Sequence, residues 1–213
     1  MSRYTPAAVD LPIAPADPVL TSALAEVFDL EGKISRALDA LGLMADKDVL
    51  LLDGDGGRRQ ADLEALGARV RAIDGLDPGR LPAGSADLVV GCWTGLGLGP
   101  AADPATLARL ERVLHPEGRI LLVEDYGRDD IRPLYADPER EARLSLASDR
   151  RGPMLAAGFR TRTLHCFWSF PSVDAARSLL EALFPESGAR VAASLARPRL
   201  EHKVAVFHRS RGG

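Results

Sequence analysis

Val49-Leu50-Leu51-Leu52-Asp53-Gly54-Asp55-Gly56-Gly57 is an apolar run that enters a glycine turn. A polar helical segment follows, and a second run, Val70-Arg71-Ala72-Ile73, ends in Asp74, twenty residues after Gly54. This order suits a nucleoside site. Gly54 and Gly56 let the main chain approach a ligand that any Cβ would keep away. A carboxylate at the tip of the next parallel strand, Asp74, can accept hydrogen bonds from ribose hydroxyls. The plainer account is a βα turn that needs unusual φ, with Asp53 and Asp55 bonding their own backbone and Asp74 solvated.

Outward from this stretch, strand and helix patterns alternate. Apolar residues recur at helical spacing from Leu20 to Leu43, broken at Gly32. Strands are expected at Asp48 to Leu52, Arg69 to Asp74, Ala86 to Trp93, Arg119 to Glu124, Phe159 to Trp168 and Glu201 to His208. Helices are expected at Gln60 to Leu66, Pro104 to Leu114, Pro138 to Ala157, Asp174 to Leu183 and Ala189 to Leu195. Alternation of this kind predicts an α/β fold with a mostly parallel sheet. Residues 1–213 read as a single domain: an extended, proline-bearing arm over 1–18, N-terminal helices over 19–46 and an α/β core over 47–208.

Bulk composition narrows the function classes. With 213 residues, 46% hydrophobic and 27% charged, the chain can bury a sizeable core. A net charge of -3 gives no electrostatic reason for a nucleic-acid or anionic-membrane partner. Cys92 and Cys166 lie far apart with no CxxC spacing, so neither a disulfide framework nor a metal site is expected. No apolar run approaches the ~20 residues of a membrane span. A cytoplasmic setting is the expectation.

Four segments together resemble class I S-adenosylmethionine-dependent methyltransferases of the Rossmann-like, type 11 kind, over roughly residues 35 to 208. Val49 to Gly56 stands at the glycine-rich first motif. Leu66-Gly67-Ala68-Arg69-Val70 through Asp74 is similar to the second strand and its ribose-binding acid. Leu81 to Val90 and Leu107 to Glu124 resemble the next two strands with their connecting helix and proline-glycine turn. The resemblance implies S-adenosylmethionine as cofactor, held by Asp53, Gly54, Asp55, Gly56, Asp74, Cys92 and Trp93. It also implies a small-molecule acceptor, a closing antiparallel strand and a crevice under the N-terminal arm.

The departures are equally specific. Leu52 stands where the family has an acid, and Arg58 stands where it has a third glycine. Arg58 reads as an exposed arginine at a helix start. Only Gly75 to Arg80 separate Asp74 from Leu81, too few residues for the family's helix and strand, so one edge strand is expected to be missing. These changes motivate a second expectation, a catalytically inactive methyltransferase-like binding or assembly module, with a homodimer built on the bared edge. A nicotinamide oxidoreductase fails on the missing third glycine. Asp77 is a stand-in for the lost adenine contact or an ordinary turn residue. Glu124, Asp125 and Tyr126 are where a general base would stand, but no residue is assigned as catalytic. His165 to Trp168 is read as core, dimer surface or substrate wall, and His202 and His208 lack metal-ligand spacing.

Overall fold

The computed structural model describes residues 11–13, 17–52, 57–75, 77–94, 104–134, 141–142, 144–146, 149 and 151–212. Six strands form one sheet: β1 (Asp48–Leu52), β2 (Arg69–Ile73), β3 (Ala86–Cys92), β4 (Leu114–Asp125), β5 (Arg160–Ser169) and β6 (Arg199–Ser210). Their order is β2-β1-β3-β4-β6-β5. β2, β1, β3 and β4 run parallel, and β6 is antiparallel to both β4 and β5. This is the α/β fold expected from the sequence, a mostly parallel sheet with an antiparallel last strand.

The apolar runs are continuous because both faces of the sheet are covered. Side chains alternate across each strand. Val49, Leu51, Leu88, Val90, Leu121 and Val123 therefore join one cluster, and Leu50, Leu52, Val89, Ile120 and Leu122 the other. The first cluster is closed by α1 (Pro18–Val27), α2 (Lys33–Gly42), α3 (Arg58–Ala65), α6 (Val173–Leu183) and α7 (Gly188–Ala193). The second is closed by α4 (Pro104–Val113) and the short α5 (Pro153–Ala156). Gly32, at φ 61°, breaks the first helical stretch where the sequence reading put the break.

Two expectations need correction. The proline-glycine turn expected within Leu107 to Glu124, at His115-Pro116-Glu117-Gly118, belongs to β4, which begins at Leu114 and pairs Leu114 with Ala86 across a register shift. β6 starts earlier and ends later than the periodicity suggested, because its partners supply ladder bonds along its full length. The shortened segment after β2 is as expected: its described residues form neither helix nor strand, and β2 is the sheet edge. The exposed positions of that edge are Arg69 and Arg71. Arg69 grips Asp48 with two hydrogen bonds of 2.8 and 3.0 Å. Charged edge positions of this kind oppose strand-to-strand pairing between chains. Of the Pro138 to Ala157 helix, 141–142 and 144–146 are helical and α5 forms the end, while 138–140, 143, 147–148 and 150 lie outside the described residues.

The packing of α6 against α7 leaves no room for a side chain at Gly188. A Cβ there would stand 2.0 Å from the Leu180 carbonyl oxygen. Gly188→Ala should therefore lower unfolding free energy by about 2 kcal/mol, read from the urea midpoint, and an unchanged midpoint would contradict this packing. His208, opposite Leu121 and Arg160 in the sheet, has its pKa lowered by burial and then by Arg119, Arg160 and Arg162. The unfolded chain thus binds a proton more readily than the folded one, so stability should fall as pH drops below about 6.5. His208→Gln should flatten that part of the stability–pH curve; identical wild-type and variant slopes would refute the assignment.

Candidate functional site

In an open α/β sheet, ligands bind beyond the carboxyl ends of the strands where neighbours leave to opposite sides. Here that place is the tip of β1, flanked by β2 and β3. Asp53, Gly54, Asp55 and Gly56, the turn after β1, lie outside the described residues. Asp74 follows β2 and is exposed, with no hydrogen-bond or ion partner among the described residues. Trp93 follows β3 and is half-buried. Cys92, next to it, has its side chain in the core at 1% exposure. The structure thus brings Asp74 and Trp93 to one edge and turns the Cys92 thiol inward.

Trp93 is held in an unusual way. Its φ is 51°, a left-handed conformation that a bulky side chain rarely adopts. Its backbone N–H donates to the Val123 carbonyl at 2.8 Å. Its indole N–H donates to Asp125 Oδ1 at 2.9 Å. The same oxygen is 2.9 Å from His202 Nε2, and Trp168 donates its indole N–H to His202 Nδ1 at 3.2 Å. Because an indole nitrogen can only donate, His202 Nδ1 must present its lone pair, which leaves the hydrogen on Nε2 to donate to Asp125. A buried carboxylate is thereby met by two donors. Phe28 packs edge-on against Trp93, with ring centroids 5.5 Å apart.

This arrangement revises several expectations. Asp125, offered as a possible base, has Oδ1 occupied by Trp93 and His202, and Glu124 is 1% exposed. His202 was set aside for lack of metal partners, yet it is the centre of the chain. Trp168 is core. Among the described residues no cluster of metal-ligating side chains occurs. Burial pushes the Cys166 thiol pKa up. Asp77 is a turn residue: its Oδ1 accepts from Gly79 N–H at 2.9 Å.

Arg58 is the larger correction. It is not an exposed residue at a helix start: its guanidinium donates to the carbonyls of Ala25, Phe28 and Asp29 at 2.9, 2.9 and 3.2 Å. These are carbonyls at and just past the C-terminus of α1, which a helix cannot satisfy itself. The Asp29 carboxylate in turn accepts from Lys33 and Ile34 N–H at 2.9 and 3.0 Å, starting α2. Arg58 therefore ties α3 to the α1–α2 junction. A glycine at this position could not do so.

Beyond β4, a cavity of about 440 Å³ opens beside Gly127, lined by Arg128, Arg132, Glu141, Ser145 and Asp149. Arg132 and Glu141 form an ion pair within it.

No family model and no curated protein matches the chain. Solved structures of the same architecture do. A Burkholderia thailandensis 1,6-didemethyltoxoflavin-N1-methyltransferase is 16% identical, with 94% of this chain and 93% of that one covered and a TM-score of 0.46. A geranyl diphosphate methyltransferase is 16% identical, with 92% of each chain covered and a TM-score of 0.44. The [4+2]-cyclase SpnF is 13% identical, with 85% and 82% covered and a TM-score of 0.42. At such values nothing about this chain's activity follows from them.

Asp125→Ala should cost about 3 kcal/mol, since it strands two buried donors, and should shift tryptophan emission. Asp125→Asn keeps an acceptor for Trp93 and should cost less. Equal losses for the two variants would refute the acceptor role.

Proposed function

We propose that this protein is an S-adenosylmethionine-dependent methyltransferase acting on a small molecule. One observation supports it above others: an unpartnered, exposed Asp74 at the tip of β2, beside the tip of β1 where the sheet's connections diverge. The acceptor chemistry of that carboxylate suits the cofactor's ribose, whose two hydroxyls can donate to it. Trp93 would supply an aromatic wall on the β3 side.

When bound, the cofactor supplies a methyl group on an already activated sulfonium. The protein's part is then placement and exclusion of water. Asp74 would fix the ribose, and the backbone of residues 53–56 would lie under the cofactor. Trp93, pinned through Asp125, would keep its ring in one orientation and so define the near wall. The cavity beside Gly127 has the volume for a small acceptor. Catalysis of this kind asks for no dedicated base unless the acceptor has a proton to lose.

The second reading, a binding or assembly module without catalysis, is favoured by Arg58. Arg58 stands at the α3 N-terminus, where the methyltransferase resemblance places the methionine end of the cofactor, and its guanidinium is committed to three backbone carbonyls at the end of α1. Calorimetric titration with S-adenosylhomocysteine separates the two. Saturable heat is expected from the wild type, and Asp74→Ala should weaken it by about tenfold or more. No heat from the wild type would overturn the enzyme reading. Unchanged affinity in Asp74→Ala would overturn the site.

A further inference from the structure

A second concavity on the same edge of the sheet has a chemistry of its own. It measures about 730 Å³ and lies where β5 ends and β6 begins. Its lining includes the acids Asp129, Asp130 and Glu201 and the arginines Arg190, Arg197 and Arg199.

The acids are already engaged. Asp129 accepts from the N–H groups of Arg132 and Lys203 at 3.1 and 2.9 Å, and Asp130 accepts from Glu201 N–H at 2.9 Å. Glu201 is bonded to His165. The arginines are not engaged in this way. Arg190 and Arg197 make no side-chain hydrogen bond or ion pair among the described residues. Arg199 lies flat over Phe167, its guanidinium carbon 3.8 Å from the ring centroid. The hydrogen-bonding capacity left for a visitor is therefore mainly donor capacity on Arg190 and Arg197, with the Arg199–Phe167 stack in the same lining.

The turn that carries Arg197 and Arg199 is also rigid. Arg197 precedes Pro198, which restricts its backbone to extended conformations. The Pro198 carbonyl accepts from Phe170 N–H at 2.8 Å, and the Arg197 carbonyl from Arg199 N–H at 2.7 Å. The turn is thus clamped to the end of β5. A backbone held in place before a ligand arrives loses less entropy on binding it.

We propose that this cleft binds a small organic anion, a carboxylate or phosphate on an apolar or aromatic body. Arg190 and Arg197 grip the anion, and the Arg199–Phe167 pair lies against the body. The chain's net charge of -3 and the cleft's small size argue for a small molecule over a polyanion. The proposal is independent of the methyltransferase reading.

Calorimetric titration with phenyl phosphate tests it on the full-length protein. Saturable binding is expected, about tenfold weaker in Arg197→Ala and in Arg190→Ala, because each loses a charge-assisted hydrogen bond. Both residues are exposed, and unchanged far-UV circular dichroism would establish that the variants are folded. Phenol should bind far more weakly for want of the charge, and inorganic phosphate more weakly for want of the ring. Absence of saturable binding, or equal affinity in wild type and both variants, would overturn the site. Inorganic phosphate matching phenyl phosphate would overturn the role of the Arg199–Phe167 surface. Because S-adenosylhomocysteine is not a component, failure here leaves the cofactor reading to its own test.

Discussion

A carboxylate inside a sheet is costly unless every approach to it is a donor. Asp125 meets that condition through Trp93 and His202, and His202 meets its own through Trp168. This polar thread crosses from β3 to β4 to β6 to β5, so four strands share it at the edge where β3, β4 and β5 end and β6 begins. Its geometry leaves little freedom. Trp168 can only donate, which sets the histidine tautomer; the histidine can then only donate to Asp125. Trp93 is the end of the thread, and its left-handed backbone is tolerated because both its nitrogens are fixed.

The α1–α2 junction bears on the same edge from above. Phe28 touches both Trp93 and His202, and its carbonyl is held by Arg58. Asp29 caps α2 with its side chain and bonds Phe167 through its backbone N–H. One residue change in the turn after β1, glycine to arginine relative to the methyltransferase resemblance, thus builds a brace between two helices. What the turn loses in bare main chain it gains in a charge-assisted cap. The same substitution weakens the argument for a cofactor at that spot and strengthens the helical cover. The two functional readings differ over this trade.

Most of the sheet was legible in the sequence. β1 is Asp48–Leu52 in both, because a run buried on both faces has no alternative use. The missing edge strand was legible by counting residues between Asp74 and Leu81. Hydrogen-bond partners were not. Periodicity identifies which residues face inward, yet it cannot say that an inward histidine on β6 meets an inward acid on β4. That pairing depends on antiparallel register, which brings Val204 opposite Asp125. Arg58 was misread for a related reason: its partners are backbone carbonyls about thirty residues earlier, and carbonyls leave no trace in residue type. The His115 turn was misread because Pro116 and Gly118 are turn residues locally, while Ala86 recruits Leu114 into the sheet.

The alternation of β6 explains how two ligand places can share one edge without merging. Glu201 points to the arginine-walled cleft, whereas His202, the next residue, points into the core toward Asp125. Between β1 and β6 lie three strand-to-strand steps, or about 14 Å at the usual spacing. Methyl transfer requires reacting atoms within about 3.5 Å. An anion gripped by Arg190 and Arg197 is therefore too far from the β1 tip for those guanidinium groups to act on charge at a reacting atom. Whatever the cleft holds, its arginines work by anchoring one end of a molecule, and the rigidity of the Arg197-Pro198-Arg199 turn is the property that such a role demands.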